Sequence, residues 1–128
     1  MSAEPGACDY QIVMSVLIVD DHPSCRAAFK AVLENDGFAV VGEVGDGASA
    51  LTAARELRPE VVLLDVQLPD TDGFAVTAEL VKDGAGPQVV LTSSRDAADF
   101  GPLITESGAR GFIPKAEVSA DRLVALLQ

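Results

Sequence analysis

The stretch VVLLD at residues 61–65 is four consecutive aliphatic residues followed directly by an aspartate. Short runs of this kind are typical of strands that are buried on both faces of a sheet. Two further runs have the same form: VLIVDD at residues 16–21 ends in two aspartates, and FIPK at residues 112–115 ends in a lysine. If the strands lie side by side and parallel, their carboxyl ends share one edge of the sheet, where open α/β folds bind ligands. The pattern therefore predicts three carboxylates and one ammonium at one point.

The composition indicates one domain of ordinary globular character. The chain has 128 residues, of which 48% are hydrophobic, and it lacks tryptophan, so we expect a core of Val, Leu, Ile and Ala. No apolar stretch approaches the roughly 20 residues that span a bilayer, and we expect no membrane contact. Cys8 and Cys25 are too few for a disulfide framework, which favours reduced thiols in a cytoplasmic protein.

The charge of the chain argues against some partners. Its formal net charge is −11, from 20 acidic and 9 basic residues, and no basic run occurs. Binding to phosphate backbones requires clusters of Lys and Arg. We therefore expect no nucleic-acid contact by this domain.

The order of patterns predicts a flexible leader at residues 1–14 and one α/β domain at residues 15–128. Strand patterns lie at residues 15–20, 39–43, 61–65, 88–92 and 111–114, and a helical pattern follows each of them. Five such units without an internal repeat predict a doubly wound parallel sheet with helices on both faces. The fourth helix is expected to start late or break near Gly101, because Pro102 cannot sit in a regular helix interior.

Apolar spacing predicts the buried faces of the first two helices, and the helical patterns give bounds for the third and the fifth helix. The third helix is expected at residues 74–82 and the fifth at residues 119–127. The residues expected to face inward are Cys25, Ala28, Phe29, Val32 and Leu33 in the first helix, and Ala50, Leu51, Ala54 and Leu57 in the second.

The acidic residues at the strand ends predict a metal site. Asp20, Asp21 and Asp65 cannot all ionise cheaply at close range, so either one pKa rises or a cation enters. Mg²⁺ binds through a few carboxylates, a carbonyl and waters. The backbone carbonyl of Gln67, two residues past Asp65, is well placed as a further ligand.

A carboxylate beside Mg²⁺ can act as a nucleophile toward a phosphoryl group. The charge of that group must be neutralised by the metal and by nearby donors. Lys115 offers a positive charge from the fifth strand, and Thr92 offers a hydroxyl group from the fourth.

The chain resembles the response-regulator receiver domains of two-component signalling, and four motifs carry the resemblance. They are VDDHP at residues 19–23, LLDVQLPDTDG at residues 63–73, VLTSS at residues 90–94 and FIPK at residues 112–115. Each motif alone is weak, whereas the set at these spacings is specific. The DDHP start is most similar to the branch whose members carry a C-terminal helix-turn-helix domain. The resemblance implies a flavodoxin-like five-stranded (βα)5 sheet of order 2-1-3-4-5.

The resemblance also implies roles for individual residues. Asp65 would be the phosphoacceptor, and Asp20 and Asp21 the acidic pair that holds Mg²⁺. Thr92 would be the switch hydroxyl, Lys115 the phosphate-contacting lysine, and Phe112 the aromatic residue that changes rotamer. The partner would be a sensor histidine kinase, and phosphorylation could produce a homodimer.

The chain departs from the family pattern at three places. Ala116 follows Lys115 where many receivers have proline, which puts the usual geometry of that peptide bond in doubt. Phe112 replaces the commoner tyrosine and has no hydroxyl group. Pro102 interrupts the helix that usually forms part of the output face.

Simpler explanations exist for each of these residues. Asp20 and Asp21 could cap the first helix, Asp70 and Asp72 could be plain turn residues, and His22 could be a neighbour of the acidic pair with no role. The simple alternatives for the remaining residues are a strand end for Thr92, a solvated charge for Lys115 and static packing for Phe112.

Three other functions compete with the phosphoacceptor switch. A phosphohydrolase of the haloacid dehalogenase type would want a second acid at the position of Gln67. A flavodoxin-like cofactor binder would want a phosphate-binding loop after the first strand. A phosphorylation-independent interaction module is the strongest rival, because the departures at Ala116 and Pro102 could lock one conformation. We expect a switch that catalyses only its own phosphorylation and dephosphorylation. The output that it controls is expected to be transcription.

Overall fold

The computed structural model describes residues 14–82 and 84–127. The predicted leader, apart from Met14, lies outside these residues. Within the described part of the chain, no helix is long and apolar enough to cross a membrane.

The described chain alternates strands and helices. The strands are β1 (Ser15–Val19), β2 (Ala39–Val44), β3 (Val61–Asp65), β4 (Gln88–Ser93) and β5 (Gly111–Pro114); the helices are α1 (Pro23–Asn35), α2 (Gly47–Leu57), α3 (Gly73–Val81), α4 (Leu103–Glu106) and α5 (Ala120–Leu127). All strand pairs are parallel and the sheet order is β2-β1-β3-β4-β5. The predicted fold class and strand order are therefore confirmed.

The central strands carry a core on each face of the sheet. Successive side chains of a strand point to opposite faces, and in β1 Val16 and Ile18 contribute to one cluster while Leu17 and Val19 contribute to the other. Residues of α1 and α5 complete the first cluster, and residues of α2 and α3 complete the second. β1 and β3 are thus buried on both faces, which explains why their sequences are continuous apolar runs.

The register of the strands aligns the residues at their carboxyl ends. Val19 pairs with Leu64 across β1 and β3, and Asp65 pairs with Thr92 across β3 and β4. Ser93 pairs with Pro114 across β4 and β5. The residues that end or follow these strands therefore lie along one edge of the sheet.

The fourth helical segment is broken, as predicted. A 3₁₀ turn at Ala97–Asp99 comes first, Gly101 then has φ +56°, and α4 is only the four residues that follow Pro102. Pro102 occupies the N-cap of α4, where its missing N–H group costs no helical hydrogen bond.

Several predictions about helix faces are wrong. Ala28 of α1 and Val32, which is 38% exposed, do not join the core. Leu57 of α2 is 44% exposed, and Ala53, which was not predicted, is buried instead. Only two residues of α1 and three of α2 are buried, so a spacing argument alone overestimates the width of the buried stripe.

The predicted ends of the five strands, of α3 and of α5 differ from the observed ends by at most one residue. β1 ends at Val19, and α3 begins at Gly73 because the Asp72 side chain accepts a hydrogen bond from the N–H of Ala75 (2.8 Å) and caps the helix. The hydroxyl of Ser119 accepts from the N–H of Arg122 (3.1 Å), so Ser119 precedes α5 and is not its first residue.

Gly73 allows the start of α3 to pack on the backbone of β3. Its N–H donates to the carbonyl of Val66 (2.7 Å). A Cβ atom at Gly73 would lie 2.6 Å from the carbonyl oxygen of Asp65 and 2.9 Å from Cα of Val66, closer than real Cβ contacts come. The main chain around Asp65 is therefore fixed by a contact that only glycine permits.

We expect Gly73→Ala to lower the free energy of unfolding by about 1–3 kcal/mol, because backbone must move to admit the methyl group. The matched control is Gly45→Ala, whose Cβ would have its nearest contact at 3.4 Å. Urea denaturation of both variants measures the difference. Equal unfolding midpoints for the two variants would contradict the assignment of a close approach at Gly73.

Candidate functional site

Three charged side chains meet at the carboxyl edge of the sheet. Asp20 follows β1, Asp65 ends β3 and Lys115 follows β5. The Nζ atom of Lys115 lies 2.8 Å from Oδ2 of Asp20 and 3.0 Å from Oδ2 of Asp65. The structure thus brings together the residues predicted from the ends of three separate strands. We call these three residues and the adjacent Asp21 the acidic pocket.

Asp65 is a buried carboxyl group with few compensating contacts. Its side chain is 3% exposed, and Oδ1 accepts a hydrogen bond from the N–H of Gln67 (3.0 Å). Burial raises its pKa above the usual value, and the charge of Asp20 adds to this. The N–H of Gln67 and the ammonium of Lys115 act in the opposite direction without cancelling the effect. Ionised Asp65 is consequently costly in this environment.

Asp20 is fully buried and held by α1. Its Oδ1 accepts from the N–H of His22 (2.8 Å), and its backbone carbonyl accepts from Nη1 of Arg26 (2.6 Å). Asp21 is more exposed and lies 3.1 Å from Nδ1 of His22. The N-cap of α1 is His22, with no side-chain capping bond. The alternative that the two aspartates cap this helix is therefore wrong.

Lys115 is a partly buried cation between two carboxylates. Burial alone would lower its pKa, but the contacts with Asp20 and Asp65 outweigh burial and raise it. The ammonium stays charged at neutral pH and neutralises part of the acidic pocket. Its Nζ atom also lies 4.0 Å from Sγ of Cys25. The peptide bond from Lys115 to Ala116 is trans, like the other described peptide bonds.

Thr92 lies beside Asp65 because the two residues are paired across β3 and β4. The residue is fully buried, and its Oγ1 has no hydrogen-bond partner among the described residues. A buried hydroxyl without a partner is costly and uncommon. The neighbouring Ser93 differs, since its hydroxyl accepts from the N–H of Arg95 (3.1 Å).

Phe112 belongs to a row of three aromatic rings. Its ring centroid lies 5.8 Å from that of Phe100, and Phe100 lies 5.7 Å from Phe74. This aromatic row, Phe74–Phe100–Phe112, connects α3, the segment before α4 and β5. Phe112 is half-buried, and its change of rotamer stays a prediction.

Gln67 lies next to the acidic pocket and is exposed. Its N–H donates to Asp65, and the residue forms an isolated bridge with Asp72 across the loop after β3. The use of its carbonyl as a metal ligand stays a prediction.

Asp70 has a role that the sequence analysis missed. Its carboxylate accepts from the N–H groups of Gly47 (2.8 Å) and Ala48 (3.0 Å), which lie in the first turn of α2. These bonds lower the pKa of Asp70, and they join the loop after β3 to a helix far away in sequence. A carboxylate aimed at a helix N-terminus is a known preference, but no local pattern shows which helix is meant. Arg26, which donates to the Asp20 carbonyl, was also missed.

The donors of the acidic pocket fit a hard divalent cation. Single ligand atoms of its three aspartates, together with one of the neighbouring His22, lie within 4.8 Å of one another. Carboxylate oxygens are the ligands that Mg²⁺ prefers. Lys115 shares Asp20 and Asp65 with this position, so a bound cation and the ammonium would act on the same two carboxylates.

Comparison with known proteins agrees with this geometry. A putative transcriptional regulator of Pseudomonas aeruginosa is 40% identical over 110 residues, which are 86% of this chain and 53% of that protein. The DNA-binding response regulator MtrA of Mycolicibacterium smegmatis is 44% identical over 100 residues, 78% of this chain and 43% of that protein. The chain therefore spans about half the length of the curated relatives it matches.

A solved structure shows the same architecture. The signal receiver domain of the putative response regulator NarL from Mycobacterium tuberculosis superposes with a TM-score of 0.78 at 33% identity, covering 91% of this chain and 95% of that one. The family model for the response regulator receiver domain matches residues 16–128. With the fold, the strand order and this match in agreement, the chain belongs to the family of response-regulator receiver domains.

Proposed function

We propose that this domain is a phosphoacceptor switch in which Asp65 takes a phosphoryl group from a sensor histidine kinase. The observation that carries the proposal is the contact of 3.0 Å between the buried carboxylate of Asp65 and the ammonium of Lys115, at the sheet edge where Asp20 and Asp21 also lie. As an enzyme the domain would act only on itself, catalysing its own phosphorylation and dephosphorylation.

The proposed transfer is a displacement at phosphorus. A carboxylate oxygen of Asp65 forms the new O–P bond, the P–N bond to the donor imidazole breaks, and the imidazole takes up a proton. Attack of water on the acyl phosphate later returns Asp65 and inorganic phosphate. Catalysis of such a step is mostly positioning and charge neutralisation, and a rigid carboxylate beside a fixed ammonium provides both.

Mg²⁺ is the proposed cofactor, held by Asp20, Asp21, Asp65 and the backbone carbonyl of Gln67. Three carboxylates and one ammonium leave the acidic pocket with two excess negative charges, before any phosphoryl oxygen enters. When bound, the cation supplies the charge that neutralises the carboxylates and the phosphoryl oxygens. The raised pKa of Asp65 supports this view, because it means that Lys115 alone does not compensate the burial.

The proposed switch uses Thr92 and Phe112. A phosphoryl group on Asp65 would add three acceptor oxygens, and the hydroxyl of Thr92, which has no partner among the described residues, can donate to one of them. Lys115 would contact another. Movement of Thr92 would free or fill space near Phe112 and alter the face formed by α4, β5 and α5.

Control of transcription is the proposed output. The relatives from Pseudomonas aeruginosa and Mycolicibacterium smegmatis are named as transcriptional or DNA-binding regulators, and this chain matches about half of each. Since its net charge is −11, the DNA contact would be made by a different domain and not by this one. A homodimer formed on phosphorylation and a cytoplasmic location complete the proposal. The relatives favour this switch over a phosphorylation-independent interaction module.

We expect wild-type protein to gain the mass of one phosphoryl group on incubation with acetyl phosphate and Mg²⁺, and Asp65→Asn to gain none. Intact mass spectrometry measures the gain, and omission of Mg²⁺ should abolish it. Asp36→Asn, a change of an exposed carboxylate after α1, is the matched control and should behave like wild type. Equal phosphorylation of Asp65→Asn and wild type would remove Asp65 from the proposal.

We expect Asp65→Asn to raise the melting temperature at neutral pH when divalent cations are absent. The pKa of Asp65 is raised in the folded state, so folding favours its protonated form, and stability is lost as pH rises from the unfolded pKa through the folded one. At lower pH, where the carboxyl group is protonated in both states, the advantage of Asn should disappear. Mg²⁺ should stabilise wild type more than the variant. Calorimetry across pH measures both effects, and a lower melting temperature for Asp65→Asn throughout would contradict the assigned cost.

We expect Thr92→Val to raise the free energy of unfolding by about 1 kcal/mol, because it removes a buried hydroxyl that has no partner. Thr77→Val is the matched control. Thr77 is equally buried, but its Oγ1 donates to the carbonyl of Gly73 (2.7 Å), so its replacement should not stabilise the fold. Chemical denaturation compares the two, and a loss of stability in Thr92→Val would show that the hydroxyl has a partner in solution.

A further inference from the structure

A second set of metal-binding side chains lies beside the acidic pocket. Asp20, His22 and Cys25 each present one donor atom, and the three atoms lie within 4.8 Å of one another. We propose that this trio binds a transition-metal ion of the Zn²⁺ class, at a site that shares Asp20 with the acidic pocket. The trio offers one carboxylate, one imidazole and one thiol, the three kinds of side chain that bind zinc.

The distances within the trio suit a tetrahedral ion. Nδ1 of His22 lies 3.1 Å from Oδ1 of Asp20. Two ligands with bonds of about 2.0–2.1 Å at a tetrahedral ion are separated by roughly 3.3 Å, so this pair already has the required spacing. The longer Zn–S bond of about 2.3 Å allows Sγ of Cys25 to stand farther off. Small side-chain rotations would therefore close the site.

The three ligands lie on a short and well-fixed segment. Asp20 is buried at the end of β1, His22 is the N-cap of α1, and Cys25 is in the first turn of that helix. Residues three apart lie on the same side of a helix, which places Cys25 on the side of His22. Sγ of Cys25 faces the acidic pocket, as its distance of 4.0 Å from Nζ of Lys115 shows.

Two further features leave room for a cation. Oδ2 of Asp20 is buried, and its contact among the described residues is the ammonium of Lys115 at 2.8 Å. A carboxylate oxygen has two lone pairs, so Oδ2 keeps acceptor capacity beyond this single contact. The His22 side chain is 61% exposed, so an ion can enter from solvent, and a water molecule can complete the coordination.

The donor set selects against Mg²⁺. A thiolate and an imidazole suit zinc and its neighbours in the transition series, whereas Mg²⁺ prefers oxygen ligands. Binding would release the thiol proton of Cys25 to solvent. The trio and the acidic pocket would thus be adjacent sites for two classes of metal, and they compete for a single carboxylate.

This competition has a consequence that rests on the proposed function. Asp20 cannot serve both ions fully, and a dication at the trio would repel the ammonium of Lys115 from its present position. Zn²⁺ should therefore slow the phosphorylation of Asp65. Metal binding itself depends only on the trio, so a failure of the phosphoacceptor proposal would leave the binding measurement unaffected.

The test uses Co²⁺ as a spectroscopic probe and Zn²⁺ as a competitor, on the 128-residue chain kept reduced with a phosphine. Wild type should show a sulfur-to-cobalt charge-transfer band in the near ultraviolet that one equivalent of Zn²⁺ removes. Cys25→Ser should lose the band, and Cys8→Ser, the matched control for the other cysteine, should keep it. His22 is the single histidine; His22→Asn should weaken Zn²⁺ binding by at least about tenfold, the smallest effect typical of altered ligand environments.

The opposite results would overturn the site. These are the absence of a cobalt–sulfur band in wild type, or a band that persists in Cys25→Ser and disappears in Cys8→Ser. Cys25 packs partly against the core, so circular dichroism should confirm that its variant is folded. His22→Asn changes an exposed side chain and gives an independent answer if the Cys25 variant does not fold. Unchanged Zn²⁺ affinity in His22→Asn would also reject the trio.

A second arm measures phosphorylation with and without Zn²⁺, with each variant compared only with itself. Wild type should be slowed by Zn²⁺ in the presence of Mg²⁺, and the ratio of the two rates should move toward one in Cys25→Ser. If Zn²⁺ binds the trio but leaves the wild-type rate unchanged, the competition for Asp20 is wrong while the site stands. If no variant is phosphorylated under any condition, the proposed function fails and the binding result is still interpretable.

Discussion

The ion pairs of Lys115 with Asp20 and Asp65 organise the carboxyl edge of the sheet. Two buried carboxylates at close range in a medium of low polarity require either a cation near both or the protonation of one of them. The ammonium lies near both at 2.8 and 3.0 Å, and in doing so it connects β5 with β1 and β3, which are not its neighbours in the sheet order. The neutralisation is incomplete, as the raised pKa of Asp65 shows. The pocket is therefore held together and still short of positive charge.

Parallel register is the constraint that makes this arrangement possible. The strands are paired so that Asp65 lies opposite Thr92 and the residue after Pro114 reaches the same edge. A shift of one residue would turn Asp65 to the other face of the sheet. Such a shift is opposed by the apolar cores on both faces and by the close contact at Gly73. The chemistry at the edge is thus fixed by burial far from it.

The sequence predicted the parts of the molecule whose signals are local. Apolar runs indicated β3 and β5 with the observed bounds, and Pro102 beside Gly101 indicated the broken fourth helix. The meeting of Asp20, Asp65 and Lys115 was also predictable, because a single rule about parallel strands relates their ends. The exposure of Val32 and Leu57 was not predictable from the sequence, since it depends on how each helix packs on the sheet. The bonds from Asp70 to α2 could not be predicted either, because they join a loop to a helix more than twenty residues away in the sequence.

The region that would have to move in the proposed switch contains no buried residue in its two helical elements. None of the four residues of α4 is buried, and the 3₁₀ turn before it has no buried residue either. Segments with few buried apolar contacts rearrange at low free-energy cost. The aromatic row is one connection of this segment to the rest of the fold, because Phe100 lies between Phe74 of α3 and Phe112 of β5. A displacement of Thr92, whose strand pairs with β5 next to Phe112, would therefore act on the segment through a small number of ring contacts, and the broken helix lowers the resistance to that change.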